Sequence, residues 1–255
     1  DRAGVRQRNP ALAGEYLGAL WCARDAVVEP RTAQVALRRY LSGWPGYRWV
    51  PGREVRDVGS GWARDDTGEV HTGDVVLVCT GAWLSGLART LAPELPVRRV
   101  RLQMMQTAPL DAPLTTAVAD GDSFRYYPAF DSAELDRVQP QPELARRHGM
   151  QLLMVARADG GLTIGDTHAY REPFDFDLDE APYRHLVGVA EALLGRPLPP
   201  VLRRWAGVYA QATDPNLLAY RAQVAAGVWL VTGPGGRGMT CSPAIAEETV
   251  REAGL

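Results

Sequence analysis

Residues Val228 to Pro243 read Val-Trp-Leu-Val-Thr-Gly-Pro-Gly-Gly-Arg-Gly-Met-Thr-Cys-Ser-Pro, and no other stretch constrains the fold as strongly. The apolar run Val228 to Val231 reads as a buried strand. It breaks into four glycines, Gly233, Gly235, Gly236 and Gly238. Ser242 then offers an N-cap and Pro243 a first helical residue, which predicts a helix to about Ala253. A strand that turns through glycines into a helix N-terminus aims N–H groups and a positive dipole end at an anionic or electron-rich ligand. Glycine also lets that ligand approach the backbone closely. The plainer alternative is a tight turn with no ligand, but four glycines exceed what a turn requires.

Composition narrows the classes. With 255 residues and 46% hydrophobic content, the chain can build one large domain or two small ones. A formal net charge of -2 implies no nucleic-acid partner. No apolar run approaches the ~20 residues of a membrane span, and the opening Asp1-Arg-Ala-Gly-Val-Arg is not a secretory signal. Cys22, Cys79 and Cys241 are scattered and odd in number, so a cytoplasmic location without a disulfide framework is expected. His71, His148, His168 and His185 are equally dispersed, and no metal site is expected. The absence of a Ser-His-Asp or Cys-His constellation argues against a hydrolase.

Along the chain, residues 1–30 read as a surface helix with a loop, followed by an amphipathic helix from Thr32 to Leu41. Short strands are expected at 47–51 and 54–58, with hairpin turns at Gly59-Ser-Gly-Trp and Asp65-Asp-Thr-Gly. Asp74 to Cys79 is a continuous apolar strand that ends in Thr80-Gly81-Ala82-Trp83, before a helix to Leu91. Beyond Pro96 the texture changes. Val100, Leu102 and Met104 alternate with Arg99, Arg101 and Gln103, predicting an antiparallel strand over 97–107. Further strands are expected at 124–127, 151–158, 162–165 and 201–209, a loop at 131–149, and a helix from Pro182 to Leu194. The order is α/β at both ends and α+β between, as when one domain is interrupted by another.

Three segments together carry a family resemblance: Asp74-Val-Val-Leu-Val-Cys-Thr-Gly-Ala-Trp, Arg203-Arg-Trp-Ala-Gly-Val-Tyr, and Gly233 to Pro243. From about Asn9 onward the chain resembles the D-amino acid oxidase, glycine oxidase and sarcosine oxidase superfamily. The resemblance implies a Rossmann-like FAD-binding domain, 1–96 with 216–255, interrupted by a substrate domain, 97–215, with a mainly antiparallel sheet. It also implies FAD as cofactor and oxidation of a small amine bearing an acidic group. Hydride passes to the flavin, water hydrolyses the imine, and molecular oxygen serves as acceptor. Two features depart from the family pattern. The Gly-x-Gly-x-x-Gly that opens the family's first βαβ unit is not in this sequence, as in a truncated protein, a separate fragment or an incomplete sequence. Tyr209 stands where amino acid oxidases place a carboxylate-binding arginine. That change, with the Gly-Gly-x-Gly-Met-Thr form, resembles the subgroup associated with aminophosphonate breakdown.

The resemblance and the residues together nominate a site. Gly235, Gly236, Arg237, Gly238, Met239 and Thr240 would face the flavin, with Thr80, Gly81 and Ala82 beside it and the Val55 backbone near the adenine. Tyr209, Arg101, Arg125, Tyr126 and Arg221 are the substrate-binding candidates, and His168 a candidate proton shuttle. Alternative readings are a glycine- or sarcosine-type oxidase, and a non-catalytic partner subunit without competent FAD binding.

Overall fold

The computed structural model describes residues 1–130 and 132–255. In chain order its elements begin with α1 (Arg2–Arg8), α2 (Pro30–Leu41), β1 (Val55–Gly59), β2 (Trp62–Asp65), β3 (Val70–Thr72), β4 (Val76–Val78), α3 (Leu87–Leu91) and β5 (Val97–Pro109). There follow β6 (Val118–Ala119), α4 (Ala133–Val138), α5 (Glu143–Arg147), β7 (Leu153–Ala156), β8 (Gly161–Gly165) and α6 (Glu180–Leu194). The chain closes with β9 (Val201–Ala212), β10 (Tyr220–Ala225), β11 (Val228–Thr232) and α7 (Gly238–Glu252). These form two compact units, Asp1–Pro45 with Arg101–Gly207, and Gly46–Val100 with Val208–Leu255. The fold is mixed α/β with antiparallel sheets.

The first unit is built on the sheet β6-β7-β8-β5-β9. Strand β8 is buried along its whole length, and Met105, Leu152, Met154, Leu162 and Ile164 form its core with one face of α6. That face carries Tyr183, Leu186, Ala190 and Leu194 at helical spacing. Full burial of a side chain such as Leu186 contributes about 2 kcal/mol. Asp179 caps the helix by accepting from the Ala181 N–H, and Gly195, at φ +68°, ends it in the left-handed region. The sequence groups residues 1–45 with the nucleotide-binding part. The structure instead packs them here: the Gly14 N–H donates to the Leu193 carbonyl and Asn9 Nδ2 to Thr116 Oγ1. Gly14 lies so close to α6 that a Cβ would sit 1.8 Å from the Ala192 carbonyl oxygen. The unit boundaries at Arg101 and Gly207 also differ from the expected 97 and 215.

The second unit holds the antiparallel sheet β1-β2-β3 and the mixed sheet β10-β11-β4. Strand β11 pairs antiparallel with β10 but parallel with β4, and Val78, Ala88, Val228 and Leu230 form a small core.

Several local expectations are corrected. No strand forms at 47–51, and Phe124 to Tyr126 belongs to a 3-10 turn, Gly121–Tyr126. The expected loop at 131–149 contains α4 and α5; its first position, 131, lies outside the described residues. Helix α7 begins at Gly238, preceded by a 3-10 turn over Gly235–Arg237, and Pro243 lies inside it. Proline has no N–H for the Met239 carbonyl; the Ser242 hydroxyl donates to that oxygen at 3.4 Å instead. Ser242 is therefore a repair within the helix and not its cap. Among the described residues, no helix is long and apolar enough to cross a membrane.

Candidate functional site

In the second unit, Val76, Leu77 and Val78 lie opposite Val228, Trp229 and Leu230 in parallel register. Two parallel neighbours end on the same edge of a sheet, so the turns that follow them meet although about 150 positions separate them in sequence. The Thr232 hydroxyl donates to the Gly81 carbonyl at 2.7 Å. Thr80-Gly81-Ala82 thus stands beside the glycine loop, at the carboxyl ends of the strands where open α/β sheets take ligands. Gly81 has φ +57°, and nothing lies within 4 Å of where its Cβ would be. Gly233, at φ +73°, is closed in the opposite sense, its Cβ position lying 3.0 Å from the Ala212 nitrogen. Only glycine meets both demands without strain.

The loop then runs into α7, with Gly235 buried, Arg237 and Gly238 half-buried, and Gly236, Met239 and Thr240 exposed at the positive end of the helix. The Thr80 Oγ1 is buried and has no hydrogen-bond partner among the described residues. An orphaned hydroxyl, an open glycine and a helix N-terminus on one sheet edge fit a polar, electron-rich cofactor such as a flavin. Val55 stands apart, opening β1 of the other sheet of this unit.

The substrate candidates divide between the units. Tyr209, half-buried on β9, and Arg221, on β10, belong to the second. Arg221 is held on α7: Nη1 meets Glu248 at 2.9 Å and Nη2 meets Glu252 at 2.8 Å. Its guanidinium therefore ties β10 to that helix, which is a structural role the sequence did not suggest. In the first unit, Arg101 donates to the Asp177 carbonyl at 2.6 Å. Arg125 is committed to the Asp122 and Asp136 carboxylates and the Gln139 carbonyl. Gln103 braces the start of α6 through both main-chain groups of Asp179.

The first unit does bring Arg125, Tyr126 and His168 together, around a cleft of about 200 Å³ also lined by Asp122, Gln151 and Tyr170. His168 is 8% exposed and its ring lies 5.0 Å from that of Tyr126. Its Nδ1 meets the Gly149 carbonyl at 2.8 Å. Asp166, 3.7 Å from that nitrogen, has its carboxyl pushed up to about 6 by burial, against the pull of His168 and a Gln151 hydrogen bond. Burial raises Asp120 to about 6 as well. Gln151, Asp166 and Tyr170 carry little signal in the sequence beyond the polar Asp166-Thr-His168 directly after a buried apolar strand.

A carboxylate–histidine cluster also forms in the β2–β3 hairpin, where ligand atoms of Asp65, Glu69 and His71 lie within 4.8 Å of one another. The sequence spacing marks no metal site, and these three residues are close because the hairpin folds them together. The Thr67 hydroxyl is the main reason the Asp65 carboxyl stays well below the usual carboxylate range, with burial opposing it. Arg53 stands 3.4 Å from the same carboxylate and supplies a cation there.

The comparisons with known proteins give the family and the fold. The family model described as DAO, FAD dependent oxidoreductase, matches residues 1–252, and the chain belongs to that family. The cofactor the family implies is FAD. No curated protein matches the chain. Among solved structures it is similar to glycine oxidase from Geobacillus kaustophilus, with TM-score 0.53 and 18% identity over 78% of this chain and 48% of that one. L-proline dehydrogenase from P. horikoshii is similar with TM-score 0.61 and 17% identity over 86% of this chain and 54% of that one. Iminodiacetate oxidase from a Chelativorans species is similar with TM-score 0.53 and 14% identity, over 76% and 46% respectively. At these identities the likeness is one of fold. The chain spans about half the length of the solved structures it matches.

Proposed function

We propose that this chain works in an FAD-dependent oxidation of a small amine bearing an acidic group, with an aminophosphonate as the favoured substrate class. The observation that carries the reading is the meeting of Thr80-Gly81-Ala82 with the glycine loop at the ends of two parallel strands. Thr80, Gly81, Ala82, Gly235, Gly236, Arg237, Gly238, Met239 and Thr240 would hold the flavin, with Val55 contributing only its backbone. When bound, the flavin supplies the acceptor for a hydride from the amine's α-carbon. The helix N-terminus of α7 supplies a positive dipole end suited to negative charge. The proposed imine product is hydrolysed by water, and molecular oxygen takes the electrons. The free thiols of Cys22, Cys79 and Cys241 support a reducing, cytoplasmic setting.

The phosphonate preference rests on Tyr209. A planar carboxylate suits the two-pronged donor of an arginine, whereas a tetrahedral phosphonate suits several separate donors. With Arg125 and Arg221 committed to carboxylates, Tyr209 and Arg101 are the stronger substrate candidates. The same commitments favour, as a second reading, a glycine- or sarcosine-type oxidase that relies on Arg101 alone.

The test is a peroxide-release assay on purified protein carrying flavin, with 2-aminoethylphosphonate, its N-methyl form, glycine, sarcosine and D-alanine. Higher kcat/KM for the phosphonates is expected, and Tyr209→Arg should shift preference toward glycine. Higher kcat/KM for glycine or sarcosine would replace the phosphonate reading with the second one. A folded protein that neither retains nor takes up FAD would favour a non-catalytic subunit.

A further inference from the structure

We propose that the first unit pairs with a second copy of itself. The loop tip Asp175-Phe176-Asp177 of one chain docks on the apolar face of α2 in the other, which returns the same contact. The inference rests on two surfaces of the first unit and not on the flavin reading.

Helix α2 carries an apolar stripe that the unit leaves uncovered. Ala33, Leu37, Tyr40 and Leu41 fall on one face at i, i+4, i+7 and i+8, yet no residue of the helix is buried. Trp44, in the turn that follows, extends the stripe, with its ring 6.2 Å from that of Tyr40. Leu37, Tyr40 and Trp44 are each more than half exposed. A helix of 12 residues draws most of its stability from packing its apolar face, so a bare stripe of this kind marks an interaction surface. The helix is nonetheless anchored at its entry. Arg157 donates to the Val28 carbonyl at 3.2 Å, and the Ala158 N–H to Glu29 at 2.9 Å. Arg38 and Arg39 flank the stripe on opposite sides, and no acidic residue occurs from Pro30 to Pro45.

The same unit carries a surface of opposite character. Residues Glu172 to Glu180 read Glu-Pro-Phe-Asp-Phe-Asp-Leu-Asp-Glu, with five carboxylates and no basic residue. Asp179 and Glu180 face His148 at 3.6 Å and Arg204 at 3.3 Å. The tip itself presents Asp175 and Asp177, both exposed, on either side of Phe176, which is 104% exposed. The loop is held in place all the same. The Arg101 guanidinium donates to the Asp177 carbonyl at 2.6 Å, Gln103 bonds both main-chain groups of Asp179, and Leu178 packs on the core. An anchored loop that points a phenylalanine at water loses little freedom when that ring is covered.

The two surfaces are complementary: an aromatic ring between two carboxylates, and an aromatic pair between two guanidiniums. Phe176 against Tyr40 and Trp44 supplies the apolar contact. Asp175 and Asp177 against Arg38 and Arg39 set its register and select the partner. Each chain carries one surface of each kind, so a two-fold axis closes both contacts in a dimer.

The test is sedimentation velocity of the full chain over a concentration series. A monomer–dimer equilibrium is expected, weakened severalfold at high salt. Phe176→Ser should weaken it about tenfold. Arg39→Asp alone and Asp175→Arg alone should each weaken it about tenfold, because like charges then meet in both contacts. An equimolar mixture of these two charge variants should recover the dimer, since one contact then carries exchanged charges and the other is native. All three positions are exposed, and circular dichroism checks that the variants fold. Should a charge variant fail to fold, Phe176→Ser decides. A monomer at every concentration would overturn the proposal and leave the α2 face to another occupant. A dimer that withstands Phe176→Ser, or charge variants that do not recover on mixing, would overturn it as well. The readout is association without turnover, so it is independent of whether any amine is oxidised.

Discussion

The Thr232 hydroxyl donates to the Gly81 carbonyl across 151 positions of sequence, at 2.7 Å. This bond closes the edge where β4 and β11 end, and Thr232 itself is only 3% exposed. Thr232→Val keeps the shape but leaves a carbonyl unbonded, and should lower stability by about 1 kcal/mol. Urea denaturation measures that loss, and the absorbance ratio of flavin to protein measures any accompanying loss of flavin. Unchanged values in both would remove this bond from the account of the site.

The start of α7 should respond to both crowding and charge. A Cβ at Gly238 would meet Pro234 Cγ at 3.2 Å. Gly238→Asp adds that contact and a carboxylate at the positive end of the helix, in competition with an electron-rich ligand. Flavin content in the purified variant should fall severalfold, while Gly238→Ala should show only the smaller effect of crowding. Equal flavin content in wild type and Gly238→Asp would move the cofactor elsewhere.

Arg221 separates a structural role from a substrate role. Its ion pairs with Glu248 and Glu252 hold β10 to α7, and its side chain is 20% exposed. Arg221→Ala should lower stability by about 1 kcal/mol, because two carboxylates lose a shared partner. Thermal melting gives the answer. A rise in substrate KM with no change in melting would restore Arg221 as a substrate ligand.

Buried carboxyls set a pH dependence. Asp166 and Asp120 are each raised from an ordinary 3.8 to about 6, chiefly by burial. The folded chain therefore holds protons that the unfolded chain releases between these values. The stability these groups contribute is complete below about pH 4 and is lost as pH rises through about 6. Asp166→Asn cannot ionise, so its stability should fall less over that range. Relative to wild type it should gain on the order of 2 kcal/mol by pH 7.5, with the difference vanishing near pH 4. Parallel urea midpoints for the two proteins at both pH values would rule this out.

Much of the local structure was legible in the residues themselves. The apolar spacing of Tyr183, Leu186, Ala190 and Leu194 marks α6, and Asp65-Asp-Thr-Gly marks the β2–β3 hairpin, because both elements are specified by neighbours in sequence. The start of α7 was misplaced for the same reason. Ser242-Pro243 carries a local helix-start signal, yet the helix starts earlier, at Gly238, where Gly235–Arg237 already turns into it.

Nothing within Asn9 to Gly14 announces contact with Thr116 and Leu193, so the packing of this segment is decided in space. The candidate site shows the same division. Sequence alone determined that the glycine loop and Thr80-Gly81-Ala82 each follow a buried strand, because glycine content and apolar runs are properties of short segments. Only the tertiary structure decided that β4 and β11 are parallel neighbours. It also decided that Arg125 and Arg221 are committed to carboxylates, and that Gln151 and Asp166 leave buried oxygens unbonded. These are pairings between distant segments, and a side chain's partners are set by packing in space, which no short window of sequence records.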